Sequence, residues 1–338
     1  MTQPHSFFIQ KYKYLETEIR NRVTMEGFYN LKLVKADTGR LVRELSFPNV
    51  ICNSGLDGLK GFNRCYIGSG TTPPSITDTA LGNATAVTYV TTDQSSEFIN
   101  TGVAVSPRAP DYAYSECIVY PSFRAGVGTG NITEIGMGRE GSGLIPSSLW
   151  SRSLIVDGSG NPISITKLAD EILHVTYTVR IYIDTADLLY NLNITGSGTH
   201  AIVQRPAQIG TWGFRVPVWG NSAGSSVLPT EAVGPGATLG PITGTITGGT
   251  TAALPGIGAA NTYVPGSYSS SATKTVGIAD GNLAGGIAAF IRYDPKFSFS
   301  SMNFAHRSVQ MTVTPPIMKD NTKVLTLNSS FSWARHTP

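Results

Sequence analysis

Between Ile172 and Asp184 the chain reads ILHVTYTVRIYID, with Leu173, Val175, Tyr177, Val179, Ile181 and Ile183 on every odd position. His174, Thr176, Thr178, Arg180 and Asp184 fill the even positions, and Tyr182 alone breaks the alternation. Period-two patterning of this length predicts a β-strand with one buried face and one wetter face. The run from Val324 to Arg335 repeats it, with Leu325, Leu327, Phe331 and Trp333 set against Thr326, Asn328, Ser330 and Ser332. Their similar parity predicts that the two strands share a sheet. A hairpin is expected where Tyr29, Leu31 and Leu33 lead to Asp37-Thr38-Gly39 and Leu41, Leu45 and Phe47 return. Gly39 there supplies the left-handed position of the turn.

Shorter strands are expected at 65–67, 116–123, 131–137, 149–156, 163–165, 286–293 and 308–314. Asn53 or Ser54 is placed to cap one helical turn running through Leu59. Residues 6–24 read differently. Tyr12, Leu15, Ile19 and Val23 recur at helical spacing, and Glu16 and Arg20 stand at i, i+4. The predicted fold is therefore all-β: an antiparallel β-sandwich-like core with a Gly/Thr-rich β insertion and a short N-terminal helix or arm. The arm covers 1–24 and the core 25–187. The insertion covers 188–286, and strands in 287–338 complete the core.

Composition changes the picture in the middle of the chain. From Leu188 to Thr273 the only charges are Arg205, Arg215 and Glu231, and fifteen glycines fall between Gly220 and Gly286. Charged residues make up 14% of the 338, against about 25% in ordinary soluble domains. Such a surface suits a protein covered by its neighbours, with copies of itself as the first expected partner. The formal net charge of +3 is too small to imply nucleic acid. The first fifty residues hold eight Lys/Arg against five acids, so Lys11, Lys13, Arg20 and Arg22 are candidates for a partner-binding arm. No apolar run approaches the roughly 20 residues of a membrane-spanning helix. MTQPHSFFIQKYKY holds no apolar signal core with a cleavage site, so export by the ordinary secretory route is not expected. Cys52, Cys65 and Cys117 form no C-x-x-C pair and are expected as buried thiols.

Several short phrases mimic chemistry. Gly220-Asn221-Ser222-Ala223-Gly224 spells a nucleophile elbow, with Asp280 and His306 following in hydrolase order, but the prolines and glycines after it defeat the helix an elbow needs. Gly136-Met137-Gly138-Arg139-Glu140-Gly141 spells a dinucleotide fingerprint and lacks the same following helix. Asp157, Ser159 and Asn161 begin like a calcium loop, yet Leu168 stands where the bidentate glutamate belongs. The five histidines are scattered. Paired carboxylates for glycan cleavage can come from distant positions, but acids are scarce in the middle region. No catalytic, cofactor-binding or metal-ligating residue is assigned, no cofactor is expected, and the protein is read as no enzyme. Trp212, Trp219, Tyr263 and Tyr268 are the candidates for a glycan or partner contact, with core or interface packing as the plainer role for each.

Two stretches resemble tail-associated virion proteins of tailed bacteriophages, the fibre, collar and baseplate components. The first runs from Leu45 to Leu81 and holds LSFPNVICNSGLDGL and CYIGSGTTPPSITDTAL. The second runs from Asn131 to Ile183 and holds NITEIGMGREGSGL, LWSRSLIVDGSGNPISIT and DEILHVTYTVRIYI. The closing NTKVLTLNSSFSWAR is similar to the last strand of such proteins. Together these cover about a third of the chain. The resemblance implies a multimeric structural protein of the virion, assembled in the bacterial cytoplasm, that contacts its own copies and other tail proteins during host attachment. Two alternatives stay open: a module that binds host-surface glycan, and a capsid decoration protein.

Overall fold

The computed structural model describes residues 15–16, 18–57, 61–90, 112–184, 186–207, 229–240, 246–258, 262–280, 283, 285–293, 297–299, 302–304 and 308–337. The alternation after Ile172 forms the strand Glu171–Asp184, which buries Leu173, Val175, Tyr177, Val179 and Ile181. It pairs antiparallel with the 18-residue strand Glu18–Lys35, from Glu171 opposite Lys35 to Ile183 opposite Val23. The strand Leu325–Arg335 buries Leu325, Leu327, Phe331 and Trp333. It lies parallel to the start of Glu18–Lys35 and antiparallel to Ser269–Val276. The two strands of matching parity thus share a nine-stranded sheet, with Glu18–Lys35 between them.

The helix or arm expected over 1–24 is strand wherever it is described, as Leu15–Glu16 and the start of Glu18–Lys35. A spacing of four residues, as from Ile19 to Val23, fits two strand periods as well as one helical turn. Pairing decides between them. Val23 faces Ile183 on one side and Trp333 on the other, so the backbone donors and acceptors are used across the sheet. The expected hairpin returns along Leu41–Pro48, with Gly39 at φ +67°. The helical turn is shorter than predicted, Asn53–Leu56, and its cap position is Cys52 without a side-chain hydrogen bond. Ser54 instead donates to the Leu149 carbonyl at 2.6 Å, and Asn53 Oδ1 accepts from Arg335 at 2.6 Å.

A five-stranded sheet covers part of the apolar face of the nine-stranded one. Its order is Val50–Ile51, Ser148–Leu154, Glu134–Arg139, Arg64–Gly68 and Ala84–Tyr89. Between the two sheets Tyr29, Phe47, Phe62, Trp150, Tyr177 and Trp333 belong to one apolar core. The polar tips of these rings find partners inside it. Trp150 Nε1 and Asn49 Nδ2 each donate to the Tyr177 hydroxyl at 2.9 Å, and the Tyr29 hydroxyl lies 2.9 Å from Ser151 Oγ. The fold is an all-β, sandwich-like one. Gly136 and Gly138, from the phrase that mimics a dinucleotide loop, sit inside a strand of this sheet. A Cβ on Gly136 would come within 2.7 Å of Leu81 Cδ1 and 2.8 Å of the Ser151 carbonyl. That glycine permits close packing.

The low-charge middle supplies much of a seven-stranded sheet. Its order is Leu15–Glu16, Leu188–Ile194, Gly198–Ala207, Ser308–Ile317, Ile287–Tyr293, Pro229–Val233 and Thr251–Ala253. Tyr190, Leu192, Ile202, Phe290, Met311 and Val313 form a second core with Ile19, Val276, Leu325 and Leu327 of the nine-stranded sheet. Of the described residues in 287–338, two long strands join the seven-stranded sheet and Leu325–Arg335 joins the nine-stranded one. Because Ser269–Val276 also lies in the nine-stranded sheet, the stretches 188–286 and 287–338 each contribute strands to both sheets.

The loop Ser69–Asn83 has few large apolar side chains, and a buried charge holds it. Glu134 is 0% exposed and Arg152 2%. The Glu134 carboxylate accepts backbone N–H bonds from Gly70 at 2.9 Å, Gly82 at 3.0 Å and Asn83 at 2.7 Å, and from Arg152 Nε at 2.9 Å. Arg152 continues to Asp78 at 2.7 Å and to the Thr72 carbonyl at 2.9 Å. Removing one partner of a buried pair typically costs about 3–5 kcal/mol. Glu134→Ala is expected to lose stability of that size by urea unfolding and to raise hydrogen exchange across Ser69–Asn83. Because the carboxylate also serves three backbone donors, the double variant Glu134→Leu/Arg152→Leu is expected to stay destabilised. Wild-type exchange in this loop for either variant contradicts this role for the pair.

Candidate functional site

On the start of Glu18–Lys35, Glu18, Arg20, Arg22 and Thr24 alternate with the buried Ile19 and Val23 and so occupy the polar face. Tyr182 and Asp184 lie one strand away, and Ser330 and Ser332 lie on the parallel neighbour. After Asp184, whose Oδ1 accepts the Ala186 N–H at 2.9 Å, the chain crosses to the seven-stranded sheet through Asp187 and Leu188. Gly198–Ala207 then brings Gln204, Arg205 and Pro206 to the same place. These residues enclose a cleft of about 680 Å³ where the two sheets meet, a size within the usual range for ligand pockets.

Most of its polar groups are engaged with one another. Arg205 holds Asp187 by two bonds, Nε to Oδ1 at 2.7 Å and Nη2 to Oδ2 at 2.6 Å. Glu18 accepts from Arg20 Nε and from Ser330 Oγ, each at 3.1 Å. Buried Gln204 ties the sheets together, donating to the Arg20 carbonyl at 2.7 Å and accepting from the Tyr190 hydroxyl at 3.0 Å. The Tyr182 ring stacks on the His336 imidazole with centroids 3.8 Å apart, and His336 Nδ1 lies 2.8 Å from Thr24 Oγ1. The Tyr182 hydroxyl donates to Glu26. Burial, and then the neighbouring Glu26 carboxylate, push this hydroxyl up to about 12. Arg20, Arg22 and Arg205 line the cleft together with Glu18, Asp184 and Asp187 and the hydroxyl groups of Thr24, Ser269, Ser330 and Ser332. Such a lining presents donors and acceptors to a polar partner, and its carboxylates Glu18 and Asp187 are already paired with arginine.

Of the residues proposed from sequence, Arg20 and Arg22 line this cleft, and Lys11 and Lys13 lie outside the described residues. Tyr263 and Tyr268 are elsewhere, half-buried against the first core. Tyr263 stacks on Trp333 at 5.7 Å and donates to Asp57. Trp212, Trp219 and the Gly220–Gly224 phrase fall outside the described residues. Asp157 closes a turn, its Oδ1 accepting the Ser159 and Asn161 N–H groups at 2.9 Å, and these backbone bonds hold its carboxyl below the ordinary range. Cys52 and Cys65 are buried free thiols, and burial pushes Cys52 up to about 12. Only the backbone of Cys117 is described.

Among the described residues no group of three or more His, Cys, Asp or Glu is placed to hold a metal ion, and no helix is long and apolar enough to cross a membrane. Sequence reasoning missed Asp187, Gln204, Arg205 and His336. One signal did point here: Tyr182, the residue that breaks the alternation of its strand. Comparisons with protein-family models, with curated proteins and with solved structures return no match to this chain.

The Tyr182 hydroxyl yields a pH prediction. Its folded-state value of about 12 lies above the roughly 10 of an unfolded tyrosine. The folded state therefore holds the proton more tightly, and this contribution to stability is complete below pH of about 10 and is lost as pH rises towards about 12. Tyr182→Phe is expected to lose less stability than wild type across that window and to show one fewer tyrosinate transition by ultraviolet titration. Superimposable alkaline curves contradict the assignment.

Proposed function

We propose that this protein is an oligomeric structural subunit of a bacteriophage tail, of the fibre, collar or baseplate kind. The observation that carries the reading is where the two phage-like stretches meet. Glu134 and Arg152 come from the second stretch, and Gly70, Thr72 and Asp78 come from the first. The resemblance thus falls on one physical unit, a turn-rich loop clamped by a buried ion pair onto a sandwich.

In this reading the polypeptide works by shape and contact. The buried pair keeps the exposed tip around Thr71 to Thr77 in one conformation, which lowers the ordering cost of binding a neighbour. The cleft lined by Arg20 and Arg22 offers a polar seat for a segment of another tail protein. Purified particles from the host that encodes this chain, labelled with antibody against it, test the proposal. Label is expected on the tail at a repeating, symmetric position. Particles that lack the chain, or that carry it only on the head, contradict it.

A further inference from the structure

The first long strand and the last strand run side by side in the same direction, with Glu18 opposite Asn328 and Met25 opposite Arg335. The chain enters this ladder at one end, through Glu18, and leaves it at the other, through Arg335. Tension between those two points pulls the strands past each other along their length. All the ladder's hydrogen bonds are then strained together. A force directed across a ladder opens the same bonds one at a time, and each opening needs far less force.

We infer that the protein is a tension-bearing connector, in which force entering before Glu18 and leaving after Arg335 is held in shear by this ladder. Other features oppose the same sliding. From Val23 to Lys35 the first strand is also bonded on its opposite edge to Glu171–Asp184. The last strand is keyed into both cores, by Leu325 and Leu327 in one and by Phe331 and Trp333 in the other. A slip that keeps each side chain on its own face must cover two residues, about 6.6 Å. That movement drags Trp333 from its stack on Tyr263 and breaks its Nε1 bond to the Leu56 carbonyl, now 2.7 Å. It also breaks the bonds from Arg335 to the Ile51 carbonyl at 2.5 Å and to Asn53 at 2.6 Å. Ahead of the ladder, among the described residues, Leu15–Glu16 pairs with Asn191 and Leu192. That short pairing yields first and passes the force on.

The partners of such a connector are two bodies, one pulling on the chain before Glu18 and the other on the chain after Arg335, at opposite ends of the ladder. The inference rests on the ladder and is independent of the tail reading, so either can fail alone.

Single-molecule pulling on the full chain tests it. One set of handles is fused to the two ends of the chain. A second set is attached at Pro48→Cys and Thr337→Cys, both exposed. These sit at the same end of the last strand, since His336 N–H bonds to the Met25 carbonyl and Asn49 N–H to the Gly27 carbonyl. Pulling there opens the ladder from its Arg335 end. Ser46→Cys replaces Pro48→Cys if thermal unfolding shows the first variant to be misfolded. The rupture force along the terminal axis is expected to be several-fold higher than across the ladder. Equal forces on the two axes, or terminal pulling that proceeds in small low-force steps, overturns the inference.

Discussion

The parallel ladder between Glu18–Lys35 and Leu325–Arg335 is the constraint on which both cores depend. Its strands give Ile19, Leu325 and Leu327 to the core under the seven-stranded sheet. The same strands and the same face give Val23, Met25, Phe331 and Trp333 to the core under the five-stranded sheet. A shift of one residue in its register would turn both apolar sets towards water. The pairing is specified twice over, once by each core, and it joins segments about three hundred residues apart. Loop-closure entropy grows only slowly with length, so the equilibrium cost of that separation is modest. The cost in folding rate is greater, because non-local pairing dominates the topology.

Much of the nine-stranded sheet was legible because its strands have one wet face. Alternation marked Glu171–Asp184 and Leu325–Arg335, and their shared parity placed them in one sheet. The start of Glu18–Lys35 was misread because Ile19 and Val23 stand four apart, a spacing that both periods allow. Only the strands on its two edges remove the ambiguity, and those lie far away in sequence. The seven-stranded sheet was harder to see. Its alternation is present at Tyr190, Leu192 and Ile194, but it is brief and lies beside glycine-rich turns that read as loop.

The polar sites followed a different logic. Arg20 and Arg22 were picked out by charge, whereas Gln204, Arg205 and Asp187 reach them from another sheet, and no local pattern reports such a meeting. Tyr182 was visible as an irregularity, and the structure gives the reason: an aromatic ring on the wetter face of its strand is buried there against the His336 imidazole. Tyr263 and Tyr268 are candidates for a glycan or partner contact because large apolar residues are sparse around them in the chain, with core or interface packing as the plainer role. They pack on the core that Trp333 completes. Glu134 and Arg152 were hidden for the opposite reason. Charged residues within strands read as solvent-facing, and here the loop Ser69–Asn83 supplies the donors and acceptors that let them be buried.

If one ladder unites the two cores, neither core can melt while the other stays folded, although the chain is long enough for two independent units. Differential scanning calorimetry of the full chain, with hydrogen exchange followed separately in Leu188–Ile194 and in Glu134–Arg139, tests this directly. The account predicts one transition whose van't Hoff and calorimetric enthalpies agree, with both strands losing protection together. Two resolved transitions, one releasing Leu188–Ile194 while Glu134–Arg139 stays protected, would contradict it.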